Sequence, residues 1–261
     1  MTDGERRRLL SVVLPAYNEE RAIERALDAV TGHLAAREHC YEIVVVDDGS
    51  TDRTAELVST IAGRDARVRL VRSAHNRGKG HAVREGVLAS HGDIVVFLDV
   101  DLSTPVDTLD RVWPVLAQGA QVVVGSRRMA GSEIEVHQGR VREMLGDMFR
   151  RITRWLLDIP VSDLTCGFKA FTGPEGRALF RRVTLSDWSF DVEVLVAAVE
   201  AGLEVRDVPV RWRDDPDTKV RLSRDLPLAA RGILAVLARK ARRQYRRPLE
   251  LEDGARGGTQ V

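Results

Sequence analysis

The chain has 261 residues, 44% of them hydrophobic and 30% charged, with 40 Lys and Arg against 39 Asp and Glu. That size and balance suit a single α/β domain with short appendages and exclude a disordered or collagen-like chain. The formal net charge of +1 excludes a global field favouring nucleic acid, so electrostatic preference must come from local arginine clusters.

The first 130 residues repeat one pattern: a short Val, Ile and Leu run, a polar turn, then apolar residues at helical spacing. The runs predict strands over Leu10–Tyr17, Tyr41–Asp48, Val68–Ala74, Asp93–Val100 and Gln121–Arg127, apolar on both faces as a helix-covered sheet requires. Helices are expected near Glu19–Arg37, Thr51–Ile61, Gly78–Ser90 and Pro105–Gln118, the last opening with Ser103, Thr104 and Pro105 as N-terminal signals. The connections are long enough for right-handed crossovers, which gives a mostly parallel, Rossmann-like sheet with helices on both faces.

Beyond Arg128 comes a loop rich in Gly, Arg and acids. Val141, Met144, Leu145, Met148, Phe149, Ile152, Trp155 and Leu156 then share one helical face, predicting either a packed amphipathic helix or one touching lipid or an acceptor chain. CGFKAF reads as a strand, two short helices follow, Leu203–Trp212 alternates, and a Pro and Asp-rich turn precedes the last helix. Residues 1–225 are expected to form one domain. Residues 226–247 predict a basic amphipathic helix, with Leu226, Ile233, Leu234, Leu237 and Tyr245 on one face and Arg231, Arg239, Lys240, Arg242, Arg243, Arg246 and Arg247 supplying positive charge. Such a helix suits an anionic membrane surface or a docked position with a solvated basic face; residues 248–261 read as a tail.

Ligands of open parallel sheets sit beyond the carboxyl ends of the strands, where this sequence places its acids. Asp99 and Asp101 end an apolar run in FLDVDLSTP; on an extended chain, residues two apart project to one side. Two carboxylates at one point repel unless a cation joins them, and Mg2+ or Mn2+ held by one or two carboxylates and substrate phosphates fits that chemistry. Asp47 and Asp48 end another buried strand, suited to accept hydrogen bonds from a base or ribose. Pro15, Tyr17, Asn18 and Glu19 offer a backbone carbonyl and an aromatic wall for a nucleotide, and Lys79 in NRGKG could meet its phosphates. The first turn, PAYNEE, lacks the glycines of a dinucleotide fingerprint, which removes the main support for a nicotinamide enzyme. Arg127, Arg128, Arg140 and Arg142 are forks that match phosphate oxygens. Cys40 and Cys166 stand apart, without disulfide or zinc spacing, and no run reaches the roughly 18 apolar residues of a membrane span.

In order, LPAYNEE, VVVDDGSTD, NRGKG, FLDVDLSTP and GSR resemble the inverting glycosyltransferase family 2, whose fold is GT-A. DLTCGFKAF, WSFDVE and WRDDPDTK further resemble dolichyl-phosphate or polyprenyl-phosphate β-glucosyltransferases and, more distantly, dolichyl-phosphate mannose synthases. The resemblance implies that Asp47 or Asp48 contacts the nucleoside, Asp99 the donor and Asp101 the metal. Arg127, Arg140 or Arg142, with Lys219, would receive a lipid phosphate, and Asp191 and Glu193 would lie near the sugar. It implies transfer of glucose from UDP-glucose to the lipid phosphate. GDP-mannose as donor, a hydroxyl of a soluble acceptor, or a non-catalytic nucleotide-sugar-binding role are the alternatives. A phosphate acceptor is already anionic near neutral pH, whereas a hydroxyl would need Asp163, Asp191 or Glu193 as base. The membrane anchors of relatives are not found in this sequence, so the expected location is cytoplasmic, with peripheral contact at the inner face of the cell membrane.

Overall fold

The computed structural model describes residues 8–37, 39–136, 148, 151–213 and 222–251. Five apolar runs form strands β1 (Leu10–Ala16), β2 (Tyr41–Asp47), β3 (Val68–Arg72), β4 (Ile94–Leu98) and β5 (Val122–Ser126). They are followed by β6 (Glu133–Val136), β7 (Phe168–Thr172), β8 (Val205–Pro209) and β9 (Arg211–Arg213). Seven strands make one sheet in the order β3-β2-β1-β4-β7-β5-β8, parallel except for β7, which runs antiparallel to both β4 and β5. β6 and β9 pair separately, so part of the expected loop after Arg128 is a strand.

Helices α1 (Ile23–Ala35), α2 (Thr54–Ala62), α3 (Lys79–Ala89), α4 (Val112–Ala117), α5 (Gly173–Arg182), α6 (Phe190–Glu200) and α7 (Leu222–Ala241) surround the sheet, and residues 151–157 are also helical. Side chains alternate across each strand, so Val12 and Leu14 enter one apolar layer while Val13 enters the other. β1 and β4 are thereby buried on both faces, as their uninterrupted apolar runs predict.

Two expected helices differ for local reasons. α1 begins at Ile23 rather than near Glu19, and the residues before it are tied to the neighbouring loop, Glu19 and Glu20 donating their backbone N–H groups to Thr54 Oγ1 and Asp52 Oδ2. The segment expected as one helix from Pro105 splits into a 3-10 turn, Val106–Arg111, and α4. Pro114 has no N–H to donate, and it sits in the first turn of α4, where none is needed.

α7 overlaps the segment 226–247 but runs from Leu222 to Ala241, and part of the expected apolar face meets protein. Ile233, Val236 and Tyr245 are buried in the layer that also contains α6, leaving Leu234 outward. Ile233, Leu237 and Tyr245 of the expected membrane face therefore pack on protein, and the side chain of Leu226 lies outside the described residues.

Candidate active site

β1 pairs with β2 through Ala16↔Asp47 but with β4 only through Val13↔Phe97, so β1 and β4 part company at Pro15. This divergence, between the two strands from which the order turns in opposite directions, is where an open sheet forms its ligand crevice. Pro15 costs the sheet little there, since the ladder toward β4 has already ended.

The β1 and β2 exit loops are tied into one wall. Asn18 adopts a left-handed φ of 53°, and its N–H donates to Ser50 Oγ at 2.9 Å while its Oδ1 accepts Thr51 N–H at 2.9 Å. Tyr17 and Glu19 share this half-buried segment. Asp47 is fully buried, accepting Ser50 N–H at 2.9 Å and Arg72 Nε at 3.2 Å, so both oxygens shape the loop. Asp48 holds the NRGKG segment through Arg77 N–H at 3.0 Å and Gly78 N–H at 2.7 Å. Its Oδ1 is buried without a hydrogen-bond partner among the described residues, which makes Asp48 the better placed of the two acids for a ligand donor.

β4 ends at Leu98, and Leu102 N–H returns to Asp99 O at 3.0 Å with Leu102 at a φ of 53°. Asp99 and Asp101 are therefore gathered by a tight turn and not, as the extended reading had it, by alternation along a strand. Val100 is buried as expected. Burial, reinforced by the charge of Asp99, raises the Asp101 carboxyl above its ordinary value although Ser103 N–H donates to it at 2.8 Å. Lys79 Nζ lies 2.5 Å from Asp99 Oδ1 and 4.9 Å from the centroid of the Trp188 ring. Burial opposes the charge of Lys79, but Asp99, Asp191 and Asp101 outweigh it and hold the ammonium above its ordinary value.

Arg127 is placed at the end of β5, as expected, but is already gripped. Its Nε and Nη2 meet Asp163 at 2.7 and 3.0 Å, Nη2 also donates to Thr165 Oγ1 at 3.1 Å, and the guanidinium covers Trp212 at 5.2 Å. Burial alone would raise Asp163; the charge and hydrogen bonds of Arg127 pull it down to about 2. Asp163 thus orients the arginine and is spent as a base candidate. Arg128 sits on an exposed turn beyond it.

Asp191 faces the same cluster from α6. It accepts Lys169 Nζ at 2.5 Å, and Lys169 also donates to Cys166 O at 2.9 Å, with both charged side chains enclosed. Burial leads the rise of Asp191 above its ordinary value, with the two lysines opposing it. Glu193, two residues on, lies about 200° around the helix. It accepts Thr184 and Leu185 N–H at 2.9 and 2.8 Å, Tyr245 Oη at 3.0 Å and Arg239, so it anchors the C-terminal segment instead of approaching a sugar. Arg140, Arg142 and Lys219 lie outside the described residues.

Sequence reasoning gave no role to Lys169, Gly167, Trp188 or Trp212. A Cβ on Gly167 would stand 1.8 Å from Asp99 Oδ2, so with glycine just before β7 that carboxylate can rest against the backbone. The available signal was the lone lysine inside the apolar run of CGFKAF, which a buried strand tolerates only with a partner.

Among the described residues no group of three or more His, Cys, Asp or Glu converges as a metal cage. The pair Asp99 and Asp101 fits instead a magnesium or manganese ion completed by substrate phosphates, since burial and the charge of Asp99 disfavour the charge of Asp101 and a cation reverses that penalty.

The family model of Glycosyl transferase family 2 matches residues 11–187, which include the ends of β1, β2, β4 and β5. The chain belongs to that family. Its family 2 relatives include a dolichyl-phosphate beta-glucosyltransferase of Trichomonas vaginalis, 34% identical over 83% of this chain and 67% of the relative. The human dolichyl-phosphate beta-glucosyltransferase is 29% identical over 81% and 69% of the two chains. Among solved structures, glucosyl-3-phosphoglycerate synthase from Mycobacterium tuberculosis, in complex with Mn2+, UDP and phosphoglyceric acid, is 27% identical with a TM-score of 0.64, covering 88% of this chain and 78% of that one. The family 2 chain is thus a glycosyltransferase with a GT-A fold. No described helix is long and apolar enough to cross a membrane.

Proposed function

We propose that this glycosyltransferase moves glucose from UDP-glucose to a polyprenyl or dolichyl phosphate with inversion. The observation that carries the reading is similarity, over more than four-fifths of the chain, to proteins named dolichyl-phosphate beta-glucosyltransferase from Trichomonas vaginalis to human. The site supplies the matching chemistry: acids and an ammonium for a diphosphate, then a guanidinium for a second phosphate.

The β1 and β2 loops, with Tyr17, Asn18 and Asp48, form the wall for the nucleoside. Magnesium or manganese held by Asp101, with Asp99 beside it, would neutralise the leaving diphosphate. Lys79 can turn from Asp99 to a phosphate oxygen, freeing Asp99 to accept a sugar hydroxyl. Arg127 spends Nε and Nη2 on Asp163 and Thr165, leaving Nη1 for an acceptor phosphate oxygen. A phosphate monoester is largely dianionic at neutral pH, because its second pKa is about 6, so its oxygen attacks without a general base. The role of the protein is then to align two anionic groups and steady the departing one.

The test is incubation with radiolabelled UDP-glucose and polyprenyl phosphate followed by organic extraction. Label in the organic phase, lost on adding a chelator and not matched by GDP-mannose, is the expected result. In a parallel incubation that supplies phosphoglyceric acid, label moving from UDP-glucose into a new water-soluble product would instead favour a small acceptor, the kind of compound bound in the M. tuberculosis enzyme. A radiolabelled organic-phase product formed only from GDP-mannose would refute the donor.

A further inference from the structure

Residue 148 and residues 151–157 are helical, and this segment is inverted relative to an ordinary surface helix. At about 100° per residue along 151–157, Ile152, Trp155 and Leu156 fall within one roughly 100° sector, and Thr153 and Leu157 lie on the other side. Thr153 and Leu157 are the buried ones. The apolar sector faces outward: Trp155 is 82% exposed, Met148 55%, Ile152 49% and Leu156 40%. An exposed tryptophan among three exposed aliphatic side chains is a contiguous patch, which a freely solvated surface rarely keeps.

Its surroundings are basic. Arg151 flanks the sector and is exposed. Lys240 Nζ, in the last turn of α7, bonds to the Leu157 carbonyl and brings that end of α7 alongside. Exposed Arg242 and Arg243 follow directly, with Asp158 as the exposed acid nearby in sequence. Apolar side chains led by a tryptophan and bordered by arginines match the boundary between acyl chains and anionic headgroups.

We propose that the outward side chains Met148, Ile152, Trp155 and Leu156, together with the basic end of α7, are a docking surface for an anionic bilayer. The contact therefore uses the short helix before Asp163 as its apolar part and α7 only as its charged border. It would bring the enzyme to the phase where a lipid phosphate resides, but the surface is argued from its own chemistry, and vesicle binding, which decides it, is measured without donor or acceptor.

The experiment is sedimentation of the full chain with vesicles of phosphatidylcholine alone or with phosphatidylglycerol at three parts in ten, alongside size-exclusion chromatography. Partition onto the anionic vesicles should fall at least about tenfold in Trp155→Asp, and about fivefold for each of Arg151→Gln and Arg242→Gln. Transfer to a short-chain, water-soluble polyprenyl phosphate should be unchanged in all three, so loss of binding is separable from misfolding and from an incorrect acceptor. The proposal is overturned if the native chain ignores anionic vesicles or if Trp155→Asp binds them equally. It is also overturned if the native chain is a dimer that Trp155→Asp dissociates, which would make the patch a contact between copies.

Discussion

Lys169 on β7 and Asp191 on α6 form a fully enclosed ion pair, 2.5 Å from nitrogen to oxygen, directly behind the cluster of Lys79, Asp99 and Asp101. β7 pairs Lys169 with Phe97 on one side and Val124 on the other, and its ammonium lies 5.5 Å from the Phe97 ring centroid, with the side chain fully buried. Lys169→Met should therefore strand Asp191 and cost about 3–5 kcal/mol in urea unfolding. The double variant Lys169→Met with Asp191→Leu should recover most of that stability but not transfer activity, because Asp191 also steadies Lys79. Equal stability of the single variant and the native chain would show that the pair is not closed off from solvent.

A second consequence of the same strand concerns Gly167. With Asp99 Oδ2 only 1.8 Å from the place a Cβ would take, Gly167→Ala must push the carboxylate aside or shift β7. Asp99 is half-exposed at a turn and gives way more easily than a central strand. The expected outcome is a loss of kcat/KM of about a hundredfold, the size typical of a misplaced binding group, with the thermal midpoint moved by only a few degrees. Full activity in Gly167→Ala would mean that the position of Asp99 is unimportant to the donor.

The sheet was legible because β1, β2, β4 and β5 are apolar on both faces, which only a covered parallel sheet explains. Position at a strand end was likewise enough to pick out Asp99 and Asp101, whereas the ion pair that brings Lys79 to Asp99 joins the start of α3 to the end of β4 and had no signal in spacing. What periodicity could not reveal was β7 running backwards between β4 and β5, since strand direction depends on a connection about 40 residues long and not on the six residues of CGFKAF. The role expected for Glu193 failed on geometry: two residues apart means one side on a strand but nearly opposite sides on α6. Pro114 carried a readable signal for the broken helix, and the turn at Leu102 did not, because a leucine at positive φ is a conformation imposed by its surroundings.

Acid should expose the Arg127 and Asp163 pair. Asp163 is held at about 2 in the folded chain, against an ordinary value of about 3.8. Its folded value is depressed, so the stabilisation is complete above about pH 4 and disappears as pH falls through about 2. The shift corresponds to about 2–3 kcal/mol, and with the side chain only 2% exposed little is lost to solvent screening. Asp163→Asn should be less stable than the native chain by that order at pH 7, with the gap closing between pH 4 and pH 2 in urea titrations followed by circular dichroism. A gap that stayed constant across that range would assign the effect of Asn to packing.

The C-terminal segment offers the complementary test, because its anchor sits on the side of α6 opposite Asp191. Tyr245 is buried and donates to Glu193 Oε1 at 3.0 Å, and burial together with the Glu193 charge holds its phenol above the ordinary value. Arg239 and the backbone of Thr184 and Leu185 meet the same carboxylate. Tyr245→Phe removes one hydrogen bond to a charged group while keeping the ring, and should cost about 1.5–3 kcal/mol. Since the lost bond joins α7 and its extension to α6, amide exchange should quicken over α7 well before it does in β1 or β4. Lys169 secures the other side of α6 independently, so transfer should stay within about twofold of the native rate at 25 °C. Unchanged exchange over α7, or a loss of activity as large as the loss of protection, would show that Glu193 does not separate the two ends of this helix.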